Sequence, residues 1–236
     1  MNFRYFADAN SLLETAAAHI SELAAKTAGE RDSFHIALAG GNTPRPLYRR
    51  LADQPEIEWE QWLIWFGDER CVPPDSLESN YLMARQTLLD RVPIPASHIY
   101  PMYPDPTKRP EEAAEIYEHL LARHAPQVQN RPQLDLILLG LGPDGHTASL
   151  FPDTPILDEK EKNVAAVFVP KLDAWRISLT IPAIENARHI LFLVDGKGKA
   201  DILQRLENGP APGEELLPVE RLHPHGEMQW FVTAAH

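Results

Sequence analysis

The sequence predicts an α/β protein with a mostly parallel sheet and helices on both faces, with room for a small flap. Two observations support this class. Short apolar runs alternate along the chain with longer segments of helical periodicity, as in a parallel sheet with crossover helices. The 236 residues, 44% hydrophobic and 24% charged, suit a globular chain with a single core. We therefore expect one domain over residues 1–236.

The elements are expected in alternating order. Apolar residues recur at helical spacing between Leu13 and Ala24 and predict the first helix. Strands are predicted at 34–39, 63–66, 134–139, 164–169, 176–180, 190–194 and 229–233. Further helices are predicted through 47–51 and at 80–89, 111–124 and 197–206. The segment 99–102 contains Pro101 and is predicted as a short edge or terminal piece.

Charge and cysteine content exclude several classes of protein. The 22 basic residues against 34 acidic ones give a net charge of −12, which argues against nucleic-acid binding. Cys71 is the only cysteine, so we expect no internal disulfide and a reducing compartment. No apolar run approaches the length of a membrane span, so we expect a cytoplasmic protein without membrane contact. Both a monomer and a homodimer remain open.

Glycines concentrate just after the predicted strands. Ligands of open α/β sheets bind beyond the carboxyl ends of the strands, where glycine allows close approach of backbone N–H groups. A single such glycine is equally well explained by the turn, but four turns that carry charged or hydroxyl side chains favour a binding site. The eight glycines are Gly40, Gly41, Gly67, Gly140, Gly142, Gly145, Gly196 and Gly198.

The first of these turns, from Gly40 to Pro44, is predicted to bind an anion. It follows a strand and opens a helix, and Pro44 suits the first helical turn because its missing N–H costs nothing there. Asn42 or Thr43 can cap the helix, which by itself also explains the Thr43-Pro44 pair. The free N–H groups and the helix dipole form an anion cradle, and the double glycine Gly40-Gly41 favours phosphate.

A second turn, Gly140 to Gly145, matches the GxGxxG pattern of dinucleotide-binding proteins. We reject that interpretation because Pro143 deletes a donor from the turn that should hold the pyrophosphate. Pro152 and Pro155 also cut short the helix that such a motif opens. The chain has no Walker loop and no GxSxG nucleophile elbow. It has no metal-ligand spacing such as HExxH, so we do not expect a metal.

The same turn carries Asp144 and His146, which we predict to be catalytic. A carboxylate two residues before a histidine, at a turn facing the crevice, can supply a base and its charged partner. Free imidazole has a pKa of about 6.5 and can accept a proton at neutral pH. Turn chemistry is the alternative explanation, because this spacing does not guarantee contact between the two side chains.

Four more charged residues are candidates for binding a ligand. Asp68 and Arg70 follow the apolar Trp65-Phe66 pair and are expected at the crevice rim, where Arg70 can stabilise an oxyanion or bind a sugar acid. Arg176 and Lys199 can bind phosphate. Asp68 and Arg70 could instead belong to a solvated loop, and Lys199 could be an ordinary surface lysine.

Four segments together resemble the glucosamine-6-phosphate isomerase/6-phosphogluconolactonase family, and specifically its lactonases. They are AGGNTP (39–44), GDERCVPPDSLESNY (67–81), LGLGPDGHTASLFPDTP (139–155) and WRISLT (175–180), in the order of the family. The resemblance covers nearly the whole chain. It implies a modified Rossmann-like fold, no metal or nucleotide cofactor, and a phosphorylated sugar lactone as the small-molecule substrate. The implied reaction hydrolyses 6-phospho-D-glucono-1,5-lactone to 6-phospho-D-gluconate in the second step of the oxidative pentose phosphate pathway.

The resemblance also implies roles for individual residues. His146 corresponds to the general base that activates water without a covalent intermediate, with Asp144 beside it and Arg70 near the lactone. The residues that correspond to the phosphate site are Gly41, Asn42, Thr43, Arg176 and Lys199. The family usually has serine where this chain has Asn42, so a hydroxyl contact is replaced by an amide that can still donate.

Two other functions are compatible with the same features. One is a glucosamine-6-phosphate deaminase or sugar-phosphate isomerase, which uses the same phosphate cradle and a histidine that opens a hexose ring. The DGHTASLFP segment (144–152) favours the lactonase, because deaminases of this fold differ after the histidine. The other is a non-catalytic sugar-phosphate sensor, for which neither the charge nor the length leaves room for a DNA-reading module.

Overall fold

The computed structural model describes residues 2–103 and 105–234, so that Met1, Pro104, Ala235 and His236 of the expected domain lie outside the described residues. Its strands are β1 (Asn2–Phe6), β2 (Phe34–Leu38), β3 (Trp62–Phe66), β4 (Asp68–Arg70), β5 (Gln127–Val128), β6 (Arg131–Pro132), β7 (Leu136–Leu139), β8 (Val164–Val169), β9 (Ala174–Leu179), β10 (His189–Val194) and β11 (Glu227–Thr233). Its α-helices are α1 (Ala9–Arg31), α2 (Pro44–Ala52), α3 (Asn80–Thr87), α4 (Pro110–His124), α5 (Ile181–Glu185) and α6 (Ala200–Asn208). Within these residues, no helix has the length and apolarity that crossing a bilayer requires.

Six strands form a main sheet that is parallel throughout, in the order β1-β11-β10-β7-β2-β3. Strands β2 and β7 are buried along their whole length, as expected of parallel strands covered on both faces. The sequence predicted every strand of this sheet except β1. In β1 only Phe6 is buried, so this edge strand offers no apolar run to detect.

The chain leaves the two central strands in opposite directions. From β2 it runs through α2 to β3, and from β7 it runs to β10 and then through α6 to β11. Because such crossovers are right-handed, α2 and α6 cover opposite faces of the sheet. The boundary between β2 and β7 is therefore a topological switch point, where ligands of open α/β sheets bind.

A second, antiparallel sheet contains β4, β9 and β8 in that order. The sequence predicted the segments 164–169 and 176–180 as strands, but it did not predict that they leave the main sheet. Residues 68–70 were expected only at the crevice rim, and they form β4 by pairing with β9. The predicted edge piece at 99–102 does not form a strand: Ile99 makes a single parallel bridge to Ile64.

Two buried tyrosines hold the strand ends that lead into the turns of the crevice. The Tyr48 hydroxyl on α2 donates to the Ala39 carbonyl at 2.8 Å, directly after β2. The Tyr117 hydroxyl on α4 accepts from the Phe66 N–H at 2.8 Å, at the end of β3. Burial raises the pKa of both phenols, so they stay protonated. The strand ends are thus anchored to the helices that cover them.

Candidate active site

A cleft of about 630 Å³ lies at the carboxyl ends of β2, β3, β7 and β10. It is lined by the turns that follow these strands and by residues of the second sheet. The structure brings every residue predicted for catalysis or substrate binding to this cleft. These residues are Gly40, Gly41, Asn42, Thr43, Asp68, Arg70, Asp144, His146, Arg176 and Lys199.

Asp144 and His146 are in direct contact. Asp144 Oδ1 lies 2.5 Å from His146 Nδ1 and also accepts from the backbone N–H of His146 at 3.3 Å. A carboxylate at Nδ1 keeps the proton on that nitrogen and leaves Nε2 as the basic one. Nε2 makes no hydrogen bond within the described part of the chain. The pair therefore presents a base to the cleft.

The imidazole is held by the turn that resembles a dinucleotide motif. The ring stacks on Phe151 with centroids 4.0 Å apart, and the Gly142 N–H donates to the His146 carbonyl at 2.8 Å. A Cβ on Gly142 would lie 2.8 Å from Cγ of His146 and nearer still to Nδ1 and Cε1. Glycine at this position thus makes room for the histidine side chain, which is a reason for the GxGxxG pattern that involves no nucleotide.

Lys171 contacts the other oxygen of Asp144. Its Nζ lies 2.8 Å from Asp144 Oδ2. Partial burial raises the pKa of Asp144, but the hydrogen bonds from Lys171 and His146 outweigh burial and lower the pKa to about 2. Asp144 is therefore ionised at neutral pH. Lys171 was not predicted as a site residue, because a single lysine in an exposed turn cannot be told from any other surface lysine until its contact with Asp144 is known.

Two arginines face each other across the antiparallel pair of β4 and β9. Arg70 and Arg176 are register partners, an arrangement that is unfavourable for like charges unless an anion joins them. Burial and the nearby Arg70 both lower the pKa of Arg176. Within residues 2–103 and 105–234, neither arginine has a carboxylate within 4.0 Å, and Lys199 has none either. Three cations without ionic partners in one cleft favour an anionic ligand.

The start of α2, where the anion cradle was predicted, has no side-chain cap. Thr43 occupies the N-cap position, but no side chain accepts a hydrogen bond there, so the expectation that Asn42 or Thr43 caps the helix is wrong. Pro44 occupies the first helical turn, as predicted. The remaining N–H groups and the positive end of the helix dipole are left for a ligand.

Asp68 is bound on two sides within the wall of the cleft. Its Oδ2 accepts from Ser149 Oγ at 2.7 Å and its Oδ1 from Asn80 Nδ2 at 3.3 Å. A Cβ on Gly40 would overlap the Asn80 amide, so the turn after β2 and the start of α3 touch only because residue 40 is glycine. Asn80 and Ser149 were not predicted as cleft residues, since they stand 12 and 81 positions from Asp68 in the chain.

Glu69 supports the neighbouring loop from inside the protein. The side chain is 2% exposed, and its carboxylate accepts from the backbone N–H groups of Arg70, Asn80 and Tyr81 at 2.7–2.8 Å. The Ser79 hydroxyl donates to it at 3.1 Å. Burial raises the pKa of Glu69, and these hydrogen bonds oppose that effect. Glu69 thereby fixes two cleft residues, Arg70 and Asn80, to one buried group.

Among the described residues, no three His, Cys, Asp or Glu side chains group closely enough to hold a metal ion. Burial raises the pKa of Cys71 to about 12. This thiol therefore stays protonated and is a poor nucleophile.

The fold and the cleft define an α/β protein whose cleft brings a histidine–carboxylate pair together with several cationic side chains. A family profile described as glucosamine-6-phosphate isomerases/6-phosphogluconolactonase matches residues 7–230. The chain belongs to this family. It is 42% identical over 224 residues to a 6-phosphogluconolactonase of Synechocystis sp., covering 94% of this chain and 90% of the relative.

Two further comparisons agree. The 6-phosphogluconolactonase of Homo sapiens is 41% identical over 214 residues, covering 88% of this chain and 81% of the relative. The crystal structure of 6-phosphogluconolactonase from Thermotoga maritima superposes with a TM-score of 0.84 at 30% identity, covering 99% of each chain. The likeness therefore extends over the whole fold and includes the parallel sheet predicted from the sequence.

Proposed function

We propose that this chain hydrolyses 6-phospho-D-glucono-1,5-lactone to 6-phospho-D-gluconate, the second step of the oxidative pentose phosphate pathway. The observation that carries this function is the contact between Asp144 and His146 in the same cleft as three cations that have no ionic partner among the described residues. The relatives that bear the name 6-phosphogluconolactonase support the choice of substrate. We assign the activity to a single domain. We place the protein in the cytoplasm, because a free cysteine suits a reducing compartment.

His146 acts as the general base in this reaction. Its Nε2 takes a proton from water as the water oxygen adds to C1 of the lactone, and the resulting imidazolium is stabilised by Asp144. Because the pKa of Asp144 is lowered to about 2, that carboxylate stays ionised and does not take up the proton itself. Positioned base catalysis of this kind contributes roughly 10²–10⁴-fold to the rate.

The tetrahedral intermediate then collapses to the open acid. Arg70 donates to the oxygen that carries negative charge at C1, a contact worth roughly 3–4 kcal/mol when the donor is well placed. The bond between C1 and the ring oxygen breaks, and the imidazolium returns its proton to the departing ring oxygen. Water is the only co-reactant that this sequence of steps requires.

The phosphate at the far end of the sugar supplies binding energy for orientation. The free N–H groups at the start of α2 and the side chains of Arg176 and Lys199 bind it, and Asp68 accepts from a sugar hydroxyl. These cationic side chains are needed because the net charge of −12 makes the rest of the protein surface repel a phosphorylated substrate. Binding at a distance from C1 orients the carbonyl toward His146.

Replacement of His146 by alanine tests this mechanism. We expect kcat to fall by roughly two to four decades, with little change in the affinity for 6-phosphogluconate. The assay is acid release from freshly prepared lactone in a pH-stat, at a pH where spontaneous hydrolysis is slow. His119→Ala is the matched control, because His119 is exposed on α4 and lies outside the cleft. A His146→Ala enzyme within a few-fold of the control would remove His146 from the mechanism.

The same preparation distinguishes the two rival functions. Release of ammonia from glucosamine 6-phosphate at a rate above lactone hydrolysis would identify a deaminase. Binding of sugar phosphates without turnover of any of them would identify a sensor. Lactone hydrolysis that depends on His146 contradicts both.

A further inference from the structure

We propose that Lys171 is a positioning residue of the hydrolytic reaction, whose ammonium group offsets the charge of Asp144 and thereby favours the form of the His146 imidazole that accepts a proton from water. The proposal rests on the proposed function, since Lys171 acts through Asp144 on His146. Lys171 itself is not placed in contact with the reacting atoms.

Geometry links three residues from two different parts of the fold. Asp144 and His146 belong to the turn after β7 of the main sheet, whereas Lys171 lies at the tip of the β8–β9 hairpin of the second sheet. Asp144 divides its two oxygens between them: Oδ1 lies 2.5 Å from His146 Nδ1 and Oδ2 lies 2.8 Å from Lys171 Nζ. The Lys171 ammonium thus offsets the negative charge of Asp144 on the side of the carboxylate that faces away from the imidazole.

Exposure argues against a purely structural reason for this contact. The Lys171 side chain is 64% exposed, and an exposed ion pair contributes at most about 1 kcal/mol to stability. The β8–β9 hairpin is held independently by six register pairs, from Val164 with Leu179 to Val169 with Ala174. The hairpin therefore does not depend on the lysine for its structure, and what the ammonium changes most is the electrostatic environment of Asp144.

A carboxylate next to a catalytic imidazole has two opposed effects. It orients the ring, which the base requires, but it also favours the protonated imidazolium, which cannot accept a proton from water. A cation on the far oxygen of the carboxylate preserves the orientation and weakens the attraction for the extra proton. The other charged groups lining the cleft are Asp68, Arg70, Arg176, Asp195, Lys197 and Lys199. Within the described residues, none of these six has an ion pair with Asp144.

The pH dependence of kcat/KM separates this role from a structural one. Lys171→Met removes the charge, and we expect the acid limb of its profile to move to higher pH by about half a unit to one unit, the size for one partly exposed charge a few ångströms away. At a pH on that limb, kcat/KM then falls by roughly three- to ten-fold. On the alkaline plateau the variant stays within a few-fold of wild type, and KM changes little. Lys171→Arg retains the charge and restores the position of the limb.

Two controls make the result interpretable. Lys160→Met removes the same charge from an exposed position outside the cleft and should leave the profile unmoved. Lys171→Gln keeps a hydrogen-bond donor without the charge, so it should resemble Lys171→Met if charge is the cause. A uniform loss of activity at all pH values with an unmoved limb, or an unmoved limb in both Lys171→Met and Lys171→Gln, overturns the proposal.

An NMR titration of His146 gives a readout that does not depend on turnover. The His146 ring resonance, assigned by its loss in His146→Ala, should titrate at higher pH in Lys171→Met than in wild type. If the His146 resonance shows this shift but the wild-type protein does not hydrolyse the lactone, the proposed function is wrong but the electrostatic role of Lys171 stands. If the enzyme is an active lactonase and the titration does not move, the role assigned to Lys171 is wrong.

Discussion

Replacing Gly142 by alanine is expected to disable the proposed His146 base while leaving the proposed phosphate site intact. The added Cβ would lie 2.8 Å from His146 Cγ and closer to Nδ1 and Cε1, where ordinary contacts begin at 3.4 Å. To restore ordinary contact at Nδ1 and Cε1, the imidazole must move by more than ~1 Å, because the loop backbone that holds residue 142 is tied to His146 by its own hydrogen bond.

A displacement of this size breaks the contact on which the base depends. Asp144 Oδ1 and His146 Nδ1 are 2.5 Å apart, and the ring is confined on its face by Phe151 at 4.0 Å between centroids. A misplacement of about 1 Å costs roughly 10²-fold in rate, so we expect kcat for the lactone to fall by about two decades. Binding of 6-phosphogluconate should be nearly unchanged, since Arg176 and Lys199 are untouched.

The chain offers a matched control two residues earlier. A Cβ on Gly140 meets no described atom within 4 Å, and this residue does not have a positive φ. Gly140→Ala therefore makes the same chemical change in the same turn without pushing on the imidazole. Both variants are compared by pH-stat kinetics, by calorimetric binding of 6-phosphogluconate and by thermal unfolding. If Gly142→Ala is as active as Gly140→Ala, the role given to the close approach at residue 142 is refuted.

Two further predictions concern the phosphate site and the stability of the fold. Arg176→Ala should lower kcat/KM for the phosphorylated lactone by about 10- to 100-fold, which is what the loss of a hydrogen bond to a charged group costs. The same variant should barely change kcat/KM for unphosphorylated gluconolactone. An equal loss on both lactones would show that Arg176 does not act on the phosphate. Burial lowers the pKa of His35 to about 4. Between about pH 6.5 and pH 4 the imidazole is therefore protonated in the unfolded chain but not in the folded protein, and acidification through this range lowers the free energy of unfolding by about 3 kcal/mol. His35→Asn should therefore show a shallower pH dependence of urea unfolding in this window, and an unchanged slope would contradict the assignment.

The parallel core and the location of the site could be predicted from the sequence alone. Strands such as Phe34–Leu38 and Leu136–Leu139 are continuous apolar runs because both faces of a parallel sheet are covered, and that pattern is local. The carboxyl ends of parallel strands share one edge of the sheet, so turns that are distant in sequence must converge there. This is why glycine-rich turns containing Gly41 and His146 could be assigned to one crevice without coordinates.

The second sheet and the contacts that tune the site were decided by the tertiary structure. Strand β4 is three charged or polar residues whose strand conformation comes from pairing with β9, and no local pattern encodes that partner. The same pairing sets Arg70 opposite Arg176, and the neighbouring hairpin brings Lys171 to Asp144 from 27 positions away. Hydrophobic periodicity reports which face of an element is buried, whereas these polar contacts depend on the relative placement of separate segments, which only the folded chain specifies.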